Sequence, residues 1–141
     1  MSRVYWDSML FIYWLENNLT FAPMVERLFQ AHSRRSDQLC TSIFTVGEVL
    51  VGPIRQNDAR LASKIEQFFD SGFVELLPVN REAVGLFANL RAVERLAPAD
   101  ALHLACAGTA HIDLFLTNDK KLHRHQVPGI HFIAGLDVKL I

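Results

Sequence analysis

The sequence predicts an α/β fold, a three-layer α/β/α sandwich around a five-stranded, mostly parallel sheet. Two observations carry this expectation. Short apolar runs of strand length alternate with longer segments whose apolar residues recur at helical spacing. Strands separated by helices favour parallel pairing, with the helices covering both faces of the sheet. The 141 residues are 50% hydrophobic and 21% charged. That suits one core and one domain over residues 1–141, with enough apolar side chain to offset the entropy of ordering.

Arg3-Val4-Tyr5-Trp6 reads as the first strand, followed by a helix from about Ser8 to Asn17. Pro23, a residue type favoured at the first helical position, starts a second helix that runs to about Ser33. Leu39–Ser42 is the second strand, and Thr45–Arg55 a helix that Gly52-Pro53 should bend or end. Ala59–Asp70 spaces Leu61, Ala62, Ile65, Phe68 and Phe69 as a helix does. Phe73–Leu77 is the third strand. Asn80 reads as the N-cap of a helix through Val84, Phe87, Leu90 and Ala92, and Pro98 opens another through Leu104 and Ala107. Leu114–Thr117 and, after Pro128-Gly129, Ile130–Ile133 complete the strands.

Formal net charge is −1, which argues against wide, non-specific binding to duplex nucleic acid. It leaves open phosphodiester chemistry in which bound cations attract the phosphate. Cys40 lies in an apolar run and Cys106 on a helix, with no CxxC pattern, so both read as core residues. The apolar stretch Met9–Leu15 is too short to span a membrane, and no small-residue cleavage site follows it. A cytoplasmic protein is expected.

In such folds substrates gather beyond the carboxyl ends of the strands, where helices begin. Four acids fall at those junctions. Asp7 follows the first strand, and Glu48 lies in the first turn of the helix after the second. Asp100 lies in the first turn after Pro98, and Asp119 follows the fourth strand in Leu116-Thr117-Asn118-Asp119. Each has a purely structural alternative. Asp7 or Ser8 can be an N-cap, Thr45-Val46-Gly47-Glu48 fits a capping box, Asp100 suits the helix dipole, and Asn118-Asp119 suits a capped turn. Caps, however, do not require carboxylates. Four carboxylates at one edge repel one another, and hard divalent cations such as Mg²⁺ or Mn²⁺ relieve that repulsion.

These stretches resemble the PIN-domain ribonucleases, most closely the VapC-type toxins. The matching segments are Val4-Tyr5-Trp6-Asp7-Ser8, Ser42–Val49, Pro98-Ala99-Asp100-Ala101-Leu102-His103-Leu104-Ala105 and Leu116–Leu122, in the family's order from end to end. The Asp100 and Asp119 segments are the most specific. The resemblance implies a five-stranded parallel sheet, a Mg²⁺ or Mn²⁺ site held by Asp7, Glu48, Asp100 and Asp119, and cleavage of RNA. Ser8 and Thr117 match the family's accompanying hydroxyls, and Asn118 stands beside the last acid. Met9 departs from the pattern, since many members carry a polar residue there, often Asn. The resemblance also implies a cognate antitoxin and a homodimer.

On this reading the acids hold one or two cations that activate water for in-line attack on phosphorus, with Glu48 either a further ligand or a base that orients the water. Lys120-Lys121 and His123-Arg124-His125 form either a basic loop that touches phosphates or a solvated surface helix. Arg34-Arg35 reads as a solvated helix end. His103, one turn after Asp100, is either a satisfied core histidine or an orienter of Asp100. A receiver or phosphatase site lacks its acidic pair here, because Asp7-Ser8-Met9 has no second carboxylate. No phosphate-cradling glycine loop is present. A non-catalytic interaction module and a processing nuclease without a toxin role are the remaining alternatives.

Overall fold

A computed structural model describes residues 1–140. Five strands form one sheet in the order β3-β2-β1-β4-β5, and every neighbouring pair is parallel. The strands are β1 (Arg3–Trp6), β2 (Gln38–Ser42), β3 (Glu75–Leu77), β4 (Ile112–Leu116) and β5 (Ile130–Ala134). Six α-helices lie between them among the described residues: α1 (Ser8–Leu15), α2 (Ala22–Arg35), α3 (Ile43–Arg55), α4 (Ala59–Asp70), α5 (Arg81–Ala92) and α6 (Pro98–Thr109). This is the expected three-layer α/β/α architecture.

The two-residue period of a strand sends alternate side chains to opposite faces, and β1 shows the consequence. Val4 and Trp6 join Leu10, Phe11, Val25, Val49, Ile65 and Phe69 in a core built with α1–α4. Tyr5, between them, points to the other core, with Leu90, Leu104, Ala105 and Phe115. Cys40 and Cys106 are both buried and unpaired, as the sequence implied.

Chain order reverses at β1. Successive strands step from β1 to β2 to β3 on one side, and β4 and β5 then fill the other. The carboxyl edge between β1 and β4 is therefore the topological switch point, where such sheets leave a crevice.

Several boundaries differ from the sequence reading. Helix α3 begins at Ile43, capped by Ser42, whose hydroxyl accepts the Phe44 N–H at 3.2 Å. Thr45 is buried and shares a 2.8 Å hydroxyl contact with Thr41, so the alternative of a capping box with Glu48 does not form. Glu48 thus sits in the second helical turn. Pro53 lies inside α3, which runs on to Arg55. Strand β3 starts two residues late, with Phe73 left exposed. Strand β4 starts earlier and stops before Thr117. Residues Lys120–Arg124 form one 3-10 helix, too short to carry a helical repeat. Arg35, expected to be solvated, bonds the fully enclosed carboxylate of Asp37 at 2.9 Å.

Candidate active site

Each predicted acid is held by a local rule of the chain. Asp7 leaves β1 and caps α1, its Oδ1 accepting the Met9 N–H at 3.1 Å. Its Oδ2 accepts a short hydrogen bond from the Thr117 hydroxyl, which comes from the end of β4. Thr117 Oγ1 in turn accepts the Asp119 N–H at 3.1 Å. Asp119 caps the 3-10 helix through Lys121 N–H at 3.0 Å. Asp100 stands in the first turn of α6 after Pro98. Glu48 reaches over from α3, and its Oε1 meets His103 Nε2 at 2.7 Å.

Asp7, Glu48, Asp100 and Asp119 all line one cleft of about 360 Å³, together with Ser8, Met9, Tyr13, Ala99, His103 and Asn118. Four segments remote in the chain meet there at the switch point. Among the described residues, the arginine and lysine ion pairs are Arg3–Glu75 and Arg35–Asp37, so none of the four acids has such a partner.

The electrostatics follow from that arrangement. Burial pushes the Asp7 carboxyl above its usual range, against the Thr117 bond, the His103 charge and backbone N–H groups that pull it down. Burial also raises Asp100, and the charges of Asp119 and Glu48 push it the same way, opposed by His103 and Lys121. Asp100 therefore senses both neighbouring acids.

Hard oxygen donors that, among the described residues, form no arginine or lysine ion pair suit a Mg²⁺- or Mn²⁺-type cation in their chemistry. Among the described residues, no three His, Cys, Asp or Glu side chains already stand as a metal-ion cage. Like charges oppose that approach, and a divalent cation reverses the sign of their interaction.

Other predicted residues fall into place around the acids. Ser8 is buried at the start of α1. Asn118 Nδ2 donates to the Tyr13 hydroxyl at 3.2 Å. Met9 keeps its side chain 40% exposed at the mouth, and its backbone N–H serves Asp7 whatever the side chain is. His123 bonds the Thr117 carbonyl at 3.1 Å within the local turn, and His125 lies 3.7 Å from Glu94, which follows α5.

One contributor went unassigned in the sequence, and another was paired there with the wrong acid. Tyr13 lines the cleft, although in the sequence it had no role beyond a place in the apolar stretch Met9–Leu15. His103 is indeed a satisfied core histidine, but the acid it touches is Glu48 and not Asp100. Its three-residue spacing from Asp100 pointed to the wrong carboxylate.

Fold and cleft together define a three-layer α/β protein with an acidic site at its switch point. The chain belongs to the PIN-domain family, a family of nucleases, and matches it over residues 4–127. Solved structures agree on the fold. A chain of a VapBC complex from Rickettsia felis, bound to a promoter DNA fragment, superposes with a TM-score of 0.70 at 14% identity, covering 94% of this chain and 98% of that one. A toxin-antitoxin complex from Klebsiella pneumoniae gives 0.67 at 15% identity, covering 90% and 94%. A VapBC-family complex from Mycobacterium tuberculosis gives 0.59 at 19% identity, covering 94% and 98%. Among curated proteins no match is found.

Proposed function

We propose that this chain is a ribonuclease dependent on Mg²⁺ or Mn²⁺, acting on single-stranded RNA, and that it is the toxin of a toxin-antitoxin pair. The observation that carries the reading is the meeting of Asp7, Glu48, Asp100 and Asp119 in one cleft with, among the described residues, no lysine or arginine ion pair. Asp7, Asp100 and Asp119 would hold the cation, with Glu48 at its side. A cation held there would supply a lowered pKa for an attacking water and charge to offset the phosphoryl oxygens.

The chain's own residues do the rest. Thr117 fixes the Asp7 carboxylate by its hydroxyl and the Asp119 backbone by its lone pair. Glu48 keeps Oε1 on His103, which leaves Oε2 for a water or ligand in the cleft. Lys120 and Lys121 are exposed beside Asp119, where they would touch phosphates of the strand.

Support for the toxin role is the fold shared with chains of toxin-antitoxin complexes. A cognate antitoxin, a homodimer and a cytoplasmic location belong to the same proposal. No helix among the described residues is long and apolar enough to cross a membrane.

The test is cleavage of a single-stranded RNA oligonucleotide by purified protein with Mg²⁺ or Mn²⁺ and with a chelator. Cleavage should require the cation, and Asp7→Asn and Asp100→Asn should each abolish it while remaining folded. Undiminished cleavage by both variants ends the assignment.

A further inference from the structure

We propose that His103 is a positioning residue for Glu48, holding one carboxylate oxygen so that the other is presented to the cleft in a fixed direction. The inference rests on the reading of the cleft as a divalent-cation site.

The imidazole is fixed at both nitrogens. Nδ1 lies 2.7 Å from the Tyr5 hydroxyl, and Nε2 lies 2.7 Å from Glu48 Oε1. Tyr5 is held in turn, because its oxygen accepts the Ser42 N–H at 3.2 Å. The ring is packed as well as bonded. It meets Tyr5 edge-on at 5.8 Å between centroids and lies 4.5 Å from the Phe44 ring. The His103 side chain is 4% exposed, whereas Glu48 is 29% exposed. A rigid, enclosed group therefore grips a carboxylate that is itself open to the cleft.

Hydrogen-bond direction follows from the network. A neutral ring that accepts the Tyr5 proton at Nδ1 carries its own proton at Nε2 and donates to Glu48. A protonated ring donates from both nitrogens, again to Glu48 at Nε2. Only the neutral ring protonated at Nδ1 fails, since it would set the Nε2 lone pair against a carboxylate. The donation to Glu48 thus holds in both favourable proton states.

The bond also spans the layers. Helix α3 supplies Val49 to one core and α6 supplies Leu104 to the other, so His103–Glu48 joins them across the carboxyl edge of the sheet. Glu48 needs such a brace because a glutamate on the second turn of a helix otherwise samples several rotamers. Partners that orient a ligand in this way typically matter about 10- to 100-fold for metal affinity or rate.

The test compares unaltered full-length protein with His103→Leu, which removes the donor but keeps apolar bulk, and His103→Gln, which keeps an N–H near the place of Nε2. Mn²⁺ binding by calorimetry, RNA cleavage and thermal midpoint are measured for each. His103→Leu is expected to weaken Mn²⁺ binding by about 10- to 100-fold, with His103→Gln regaining most of the loss. Long-range ¹H–¹⁵N spectra of the metal-free protein are expected to show His103 protonated at Nε2, with its signals shifted by Glu48→Gln. These spectra and the Gln variant decide the matter if His103→Leu does not fold. Unchanged Mn²⁺ affinity in a folded His103→Leu, or protonation at Nδ1 alone, overturns the inference and leaves the cation site standing. Unaltered protein that binds no Mn²⁺ overturns the site and this inference together.

Discussion

The Thr117 hydroxyl donates to Oδ2 of Asp7 and so ties the end of β4 to the end of β1 across the switch point. The same oxygen accepts the Asp119 N–H, which makes one buried side chain the link between two of the cleft's acids. Thr117 has no exposed surface, and valine matches its shape, so Thr117→Val isolates the hydroxyl. The variant should lose about 1.5–3 kcal/mol, the range for a hydrogen bond to a charged group, and its Mn²⁺ affinity should fall with it. Thr117→Ser should recover most of both. Urea unfolding and calorimetry on the three proteins check this, and equal behaviour of the Thr and Val forms would discard the link.

Asp7→Asn should stabilise the metal-free protein while abolishing cleavage. Burial holds the Asp7 carboxyl above its ordinary range, so the folded state keeps that proton longer than the unfolded state as pH rises. The stability it contributes is complete below the unfolded pKa and is lost as pH climbs through the folded one. At neutral pH the ionised group is a burden that asparagine removes, since Asn can still accept from Met9 and Thr117 can reverse its hydroxyl. The midpoint advantage of Asp7→Asn in chelator should shrink between neutral pH and about 4. Added Mn²⁺ should raise the midpoint of the unaltered protein alone. A variant less stable than its parent at neutral pH in chelator would contradict the argument.

A second buried histidine makes the opposite prediction. Trp6 Nε1 donates to His32 Nε2 at 3.1 Å, leaving Nδ1 to face Asp37 Oδ2 at 3.2 Å. Burial lowers the His32 pKa, against the pull of Asp37. Asp37 is also lowered, because Arg35, His32 and the Ser2 N–H outweigh its burial. A depressed pKa contributes stability that is present above the unfolded value and lost as pH falls through the folded one. Stability should therefore decline as pH drops below about 6.5 and further near the carboxyl range. His32→Gln can accept from Trp6 and donate to Asp37 without titrating, so it should flatten the upper part of that decline. Urea midpoints against pH, read by tryptophan fluorescence, test it, and an unchanged slope would remove His32 from the account.

The sheet and the positions of the acids were legible because the signals are local. A strand ending in Asp7, a proline two residues before Asp100, and a strand running into Thr117-Asn118-Asp119 each announce a junction. What escaped was set by contacts between distant segments. Ser42 both ends β2 and caps α3, so the first helical residues read as loop and Thr45 read as the cap. Arg35 read as a helix-end cation because Asp37, two residues on, gives no sequence sign of being enclosed. Glu48 and His103 are 55 residues apart, and no spacing rule relates them. The cleft was therefore predictable as a set of acids but not as a hydrogen-bonded structure.

Gly129 should be among the least replaceable residues of the chain. It precedes β5 with φ of +88°, a left-handed conformation that L side chains rarely adopt. A Cβ placed there would lie 1.9 Å from the carbonyl oxygen of Gly108, inside any tolerable contact. Its own carbonyl accepts the Ile112 N–H at 2.9 Å, which sets the start of β4 against β5. Gly108 is constrained from the other side, since a Cβ on it would meet the Pro128 carbonyl at 2.5 Å. The two glycines let the end of α6 and the turn into β5 touch backbone to backbone. Gly129→Ala must strain its own φ and also displace α6, so it should cost about 3 kcal/mol or more. Gly72 also has φ of +88° but has nothing within 4 Å of its Cβ position. Gly72→Ala should therefore carry the conformational cost alone, about 1–2 kcal/mol. Unfolding midpoints of the two variants side by side separate strain from collision, and similar losses at both sites would show that the α6 contact is not what constrains Gly129.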